Sequence, residues 1–88
     1  MLKTKYVFEI MDLEDGLVAV PVGDAAERFS GVLKVNDTAA AILKLLERDT
    51  TENRIVDMIL REYEGDKMQI AEFVHEFVEQ LRVEGIME

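Results

Sequence analysis

The feature that most constrains the fold is a change in the spacing of apolar residues near Asn36. Before this point the chain reads as short extended pieces, and residues 6–11 (YVFEIM) alternate in the two-residue period of a half-buried strand. After this point apolar residues recur at intervals of three and four, which is the period of amphipathic helices. The order of these patterns predicts an α+β domain in which the strands precede the helices.

Three strands are predicted in the first part of the chain. Residues 12–16 (DLEDG) have turn chemistry, because Gly16 can adopt a positive φ, and residues 17–22 (LVAVPV) form the second strand. Pro21 cannot donate a hydrogen bond to a sheet, so it belongs near a strand end or on an edge. Residues 23–31 form a connection with room for a helical turn, and residues 32–36 (VLKVN) form a very short third strand.

Three helices are predicted in the second part. Each begins at a side chain that can accept a hydrogen bond from the free N–H groups of the first turn: Asn36 or Asp37, Thr50 or Thr51, and Asp66. We expect Gly65 to end the second helix in a left-handed conformation and Gly85 to stop the third. Because no linker or composition shift divides the chain, residues 1–88 are predicted to form a single domain.

The third helix carries the widest apolar surface of the chain. Its central stripe is Ile70, Val74, Phe77 and Leu81, with Phe73 on one flank and Ala71 and Val78 on the other. The apolar arc is about 160° wide, whereas a surface helix needs only about 100°. Either both flanks are buried, which is the more common arrangement, or one flank lines a groove. The sequence favours a groove only if the short third strand lies beside this helix.

Composition excludes several classes of function. The 88 residues contain 19 acidic and 10 basic side chains, and this net charge of −9 opposes nucleic-acid binding. There is no cysteine and only one histidine, His75, so neither a thiolate metal site nor a catalytic triad is expected. No apolar run approaches the length of a membrane span, and no signal peptide is recognised. We expect a cytoplasmic protein with no cofactor and no enzymatic activity.

Residues 32–87 carry an ordered set of features that resembles a known family. The set consists of Val35-Asn36, Thr38-Ala39, Ile42, Leu45-Leu46, Asp49, Thr51, Ile55, Leu81, Gly85 and Ile86. Strand, helix start, short turn and terminal glycine follow one another as in the PqqD family, the RiPP recognition elements. The chain departs from that pattern at Val35, where leucine is usual, and at residues 47–49, which replace an Asp-Gly turn. The resemblance implies a winged-helix-like fold, with a three-stranded antiparallel sheet followed by a three-helix bundle.

The resemblance also implies a function. Members of this family are non-catalytic proteins that bind the leader segment of a ribosomally made precursor peptide. The leader adds as an extra strand to the third strand and rests against the third helix. A separate modifying enzyme, often a radical S-adenosylmethionine enzyme, then acts on the precursor.

The implied peptide-binding residues fall into three groups. The receiving edge is Val32, Leu33, Lys34 and Val35; the groove candidates on the third helix are Phe73, Val74, Phe77 and Val78; and the basic side chains that could attract an acidic leader are Lys34, Lys67 and Arg82. The sequence does not indicate which flank of the third helix faces the strand.

Two other interpretations remain open. In a winged-helix transcription regulator the second and third helices would form a helix-turn-helix, with one helix in the major groove of DNA, but the third helix is rich in acidic side chains. An open edge strand also favours self-pairing, so a homodimer is the other alternative.

Overall fold

The computed structural model describes residues 1–23 and 31–88. The strands are β1 (Phe8–Leu13), β2 (Gly16–Pro21) and β3 (Leu33–Val35), and the helices are α1 (Asp37–Leu45), α2 (Glu52–Glu62) and α3 (Lys67–Val83). The predicted order, in which a sheet precedes three helices, is therefore confirmed for the described residues. The helical turn predicted within residues 23–31 falls mostly on residues 24–30, which lie outside the described residues.

The sheet is antiparallel with the order β1-β2-β3, so β2 is central and the other two strands are edges. The hairpin turn is tighter than predicted, because β1 continues to Leu13, which pairs with Gly16. Gly16 has a φ of +123°, and its positive φ agrees with the prediction. Pro21 is the last residue of β2, as expected of a residue that cannot donate to a ladder.

The first strand begins at Phe8, two residues later than the alternation predicts, because the chain before it is bound elsewhere. The Thr4 N–H donates to Leu46 O at 3.0 Å, and the Lys5 N–H donates to Ile86 O at 2.7 Å. Leu2 exchanges two backbone hydrogen bonds with Thr50. The N-terminal residues therefore tie the α1–α2 connection to the C-terminal end rather than extending the sheet.

One face of the sheet packs against the helices to form the core. Phe8 of β1 and Ala19 of β2 are buried there together with apolar side chains from all three helices. The helical residues in this cluster are Ile42, Leu43, Leu46, Ile55, Val56, Ile59, Val74, Val78 and Leu81. Helix α1 contacts all three strands, and α3 packs against α2.

The helix starts follow the predicted capping residues. Asn36 Oδ1 accepts from the Ala39 N–H at 2.8 Å, Thr51 Oγ1 accepts from the Arg54 N–H at 3.2 Å, and Asp66 Oδ1 accepts from the Met68 N–H at 3.3 Å. Each bond satisfies a donor that the helix itself leaves free. These local bonds fix the residues at which the three helices begin.

Helix α3 ends at a left-handed glycine, as predicted. Gly85 has a φ of +78°. The Ile86 N–H donates to Leu81 O at 2.9 Å, and the Gly85 N–H donates to Arg82 O at 3.1 Å. This is the Schellman arrangement, and the buried pair Leu81 and Ile86 supplies its usual apolar contact.

The prediction for Gly65 is wrong. Helix α2 ends earlier, at Glu62, with Tyr63 already extended, and Gly65 does not have a left-handed φ. A Cβ at Gly65 would lie 2.8 Å from Ile70 Cδ1, so a larger residue there requires the end of the Ile70 side chain to move.

Candidate functional site

A groove of about 190 Å³ lies between the edge strand β3 and helix α3. All three residues of β3 line one side of it, and four residues of α3 together with its C-terminal cap line the other. The lining comprises Leu33, Lys34 and Val35 of β3, Asn36 and Ala39 at the start of α1, and Phe73, Phe77, Gln80, Leu81 and Glu84 from α3 and its C-terminal cap. The short third strand thus lies beside the third helix, which is the condition under which the sequence favours a groove.

Two phenylalanines form the apolar wall of the groove. Phe73 and Phe77 are half-buried and lie one helical turn apart. Their ring centroids are 6.2 Å apart and the ring planes differ by 2°, so the rings stack in parallel and present a continuous surface. The flank of α3 that faces β3 is therefore the Phe73 side.

The other wall is a sheet edge. Among the described residues, β3 pairs with β2 alone, with Val35 opposite Leu17 and Leu33 opposite Ala19. In an antiparallel pair, every second residue turns its N–H and C=O away from the partner strand. The outer edge of β3 therefore presents backbone donors and acceptors beside the apolar wall.

The structure separates the four predicted groove residues of α3 into two pairs. Phe73 and Phe77 line the groove, whereas Val74 and Val78 are 0% exposed and lie in the core. A ligand in the groove could not contact these valines unless the helix moved. The physical reason is that α3 packs its Val74 and Val78 side into the core that it shares with α2. The site proposed below therefore excludes Val74 and Val78.

The four predicted edge residues fall into two groups, those within β3 and the one that precedes it. Leu33, Lys34 and Val35 form β3, but Val32 precedes the strand and is 58% exposed. Val32 does not take part in the β2–β3 ladder and does not line the groove. Strand β3 is thus three residues long, whereas the sequence predicts a receiving edge of four residues.

Of the three predicted basic residues, only Lys34 lines the groove. Lys67 is the first residue of α3 and is exposed, and Arg82 Nε donates to Glu79 Oε1 at 3.3 Å on the surface. Glu84 adds an acidic side chain to the groove lining. The lining of the groove therefore includes one basic side chain, Lys34, and one acidic side chain, Glu84.

Five groove residues are absent from the predicted site: Asn36, Ala39, Gln80, Leu81 and Glu84. Three of these follow a readable spacing, because Gln80, Leu81 and Glu84 lie three, four and seven positions after Phe77 and therefore share its side of the helix. Asn36 and Ala39 come close to α3 only through the tertiary fold, which no local spacing reports.

In residues 1–23 and 31–88, no three His, Cys, Asp or Glu side chains form a group that could hold a metal ion. His75 Nδ1 lies 3.1 Å from Glu52 Oε1 in an exposed pair between α2 and α3. No helix in the described part of the chain is long and apolar enough to span a membrane.

Comparison with known proteins supplies three similarities. Residues 10–87 match the family model of coenzyme PQQ synthesis protein D (PqqD). None of the curated proteins compared with the chain matches it. The solved structure of a lasso peptide synthetase B1 complexed with the leader peptide is 18% identical with a TM-score of 0.70, over 99% of this chain and 96% of that chain. The structure of TbiB1 in complex with the TbiA(beta) leader peptide is 20% identical with the same TM-score, over 98% and 94%.

Proposed function

The chain belongs to the PqqD family, and from this membership we propose that it binds the leader segment of a ribosomally made precursor peptide and presents it to a separate modifying enzyme. In this proposal the chain itself is not catalytic. The two similar solved structures are both complexes with leader peptides, which supports the assignment of a peptide as the ligand.

The observation that carries the proposal is the open edge of β3 beside the Phe73–Phe77 wall. An extended peptide can add to such an edge as a fourth strand. Backbone hydrogen bonds then supply affinity for any sequence, and pockets for alternate side chains supply specificity. A bare sheet edge would offer only the first of these, whereas the groove offers both.

The sheet geometry predicts which leader side chains are read. Paired residues on neighbouring strands project to the same face of a sheet. Leader residues opposite Leu33 and Val35 would therefore point toward the helical side and contact Phe73 or Phe77. The leader residue between them, opposite Lys34, would point to the other face. We expect two apolar residues separated by one polar residue, and an acidic side chain is the favoured partner for Lys34.

Two alternatives have less support. DNA binding by α2 and α3 would bring exposed acidic side chains, among them Glu72, Glu76 and Glu79 of α3, close to phosphates, which is unfavourable. A homodimer through the β3 edge would occupy the same backbone groups that a peptide needs. A gel-shift assay with mixed genomic fragments at low salt tests the first alternative, and sedimentation with and without peptide tests the second.

The proposal is tested by NMR titration of isotope-labelled protein with a synthetic leader. The leader is taken from the nearest short open reading frame beside the gene, and a scrambled peptide of the same composition is the control. We expect amide shifts at Leu33–Val35 and along the Phe73–Phe77 wall, with a Kd in the micromolar range, which corresponds to about −8 kcal/mol. Shifts confined to other surfaces, or equal shifts with the scrambled peptide, would contradict strand addition in this groove.

A second leader peptide isolates the backbone contribution. Proline at the position opposite Lys34 has no N–H to donate to β3, so it removes one hydrogen bond of the ladder between β3 and the leader. Loss of binding with this peptide, together with retained binding of an alanine-substituted control, is the result expected of a peptide that pairs through its backbone.

A further inference from the structure

The face of the sheet turned away from the helices is apolar and uncovered in the described structure. We call this surface the outer face; it comprises Glu9, Met11, Leu13, Val18, Val20 and Lys34. The pairing register places these residues in rows across the sheet, since Met11 lies opposite Val18 and Val18 lies opposite Lys34. Met11 is 45% exposed and Leu13 is 49% exposed, although both stand in a regular strand.

This surface has the features of an interface rather than of an ordinary solvated sheet. A half-buried antiparallel sheet normally alternates apolar residues inside with polar residues outside. Here the row Met11–Val18–Lys34 has two apolar members. A cavity of about 170 Å³ at the hairpin end, whose lining includes Leu13, Val18 and Lys34, provides a recess for an anchoring side chain.

The charges around the outer face indicate the chemistry of the partner. The outer face and its hairpin turn carry three exposed acidic side chains, Glu9, Glu14 and Asp15, against Lys34 as the basic residue among those described. A second copy of the chain would bring the same acidic side chains and a further net charge of −9. Charge complementarity therefore favours a different protein, one that presents an apolar patch with a basic rim.

We propose that the outer face is the docking surface for the modifying enzyme, a step that rests on the proposed function. The outer face is continuous with the proposed peptide site. A leader strand added to β3 would extend the row Met11–Val18–Lys34 by one residue on the same face. An enzyme seated on the outer face would touch both the domain and the bound leader.

The test compares two identical substitutions at exposed methionines. Met11→Asp places a charge in the outer face, and Met68→Asp places the same charge on α3, where Met68 is 80% exposed. The probe is the purified modifying enzyme encoded beside the gene, titrated against the leader-bound chain by calorimetry. We expect Met11→Asp to weaken enzyme binding about tenfold or more, as for a central interface residue. Met68→Asp should leave it within about twofold, as for a surface substitution.

Leader affinity, measured on the same variants, separates the two proposals. Unchanged leader affinity with weakened enzyme binding in Met11→Asp supports the inference. Unchanged enzyme binding in a Met11→Asp variant that still binds leader overturns the inference and leaves the proposed function intact, whereas a wild-type chain that binds no leader contradicts the proposed function itself. A dimer that Met11→Asp converts to a monomer would assign the face to self-association and overturn the inference. If Met11→Asp lowers thermal stability, Met11→Gln replaces it in the same comparison.

Discussion

The apolar arc of helix α3 has two halves that the fold uses in different ways, although the sequence does not distinguish them. In one half, which we call the valine flank, Val74 and Val78 are fully buried and share a core with residues of α2. In the other half, the phenylalanine flank, Phe73 and Phe77 remain half-buried, because the element opposite them is a strand of only three residues. The covering element, and not the apolarity of the flank, decides which side packs and which side is available to a ligand.

The two flanks should contribute to different free energies, one to unfolding and the other to peptide binding. Substitutions on the valine flank should change the free energy of unfolding, since they remove packing or introduce a buried polar group. Substitutions on the phenylalanine flank should change peptide affinity more than stability. The following substitutions test this division, from the largest expected effect to the smallest.

Val78→Asp should have the largest effect. The carboxylate would lie in a site that is 0% exposed, and an unpaired buried charge costs about 3–5 kcal/mol. The matched control is Val83→Asp, on the same helix at 86% exposure, where a surface substitution stays within about 0.5 kcal/mol. Urea unfolding followed by circular dichroism measures both. Equal unfolding midpoints for the two variants would contradict the assignment of the valine flank to the core.

Phe77→Ala should mainly affect binding. Phe77 supplies half of the stacked wall, and loss of an aromatic anchor at an interface costs about 2 kcal/mol, which is about thirtyfold in Kd. Glu76→Ala changes the exposed neighbour and should leave the Kd unchanged. Calorimetric titration with the leader peptide makes the comparison. A Phe77→Ala variant that binds normally but unfolds as readily as Val78→Asp would make both flanks structural.

Gly85→Ala should lower stability without changing affinity. Alanine in the left-handed conformation costs about 1–2 kcal/mol, and the φ of +78° at Gly85 lies in that region. Gly85→Asn should lose less, because asparagine tolerates this conformation better. Thermal unfolding of both variants, with leader titration alongside, measures the effect. Similar losses for alanine and asparagine would show that backbone conformation is not the cause.

The elements that the sequence predicted well depend on local signals. Asn36, Thr51 and Asp66 begin their helices by accepting hydrogen bonds from residues two or three positions ahead, and such bonds leave a readable pattern in the sequence. The terminal Gly85 is equally local. The family resemblance, and not periodicity, predicts that the third strand and the third helix lie side by side, and both line the same groove.

The elements that the sequence predicted poorly depend on distant partners. Residues 2–5 bind the α1–α2 connection and the C-terminal end through isolated backbone hydrogen bonds to residues more than 40 positions away, and isolated bonds have no periodicity. The choice between the flanks of α3 fails for the same reason, since Val78 and Phe77 are adjacent in sequence and equally apolar. The left-handed φ predicted for Gly65 is also absent, and the side chain that a Cβ there would approach belongs to Ile70, on the following helix.

The smallest expected effect concerns the charge of Lys34, the basic residue of β3 that lines the groove. Lys34 lines the groove and Lys67 does not. A cross-strand ion pair with a leader bound in the groove can therefore form only with Lys34. Such a pair contributes about 0.2–1 kcal/mol. Two leaders that differ by Glu or Gln opposite Lys34 are titrated against wild type and Lys34→Glu. We expect wild type to prefer the Glu leader by at most about fivefold, with the preference reversed in the variant and reduced in high salt. Lys67→Glu is the matched control, and if it alters the preference as much as Lys34→Glu does, the charge acts through the whole domain and not at the groove.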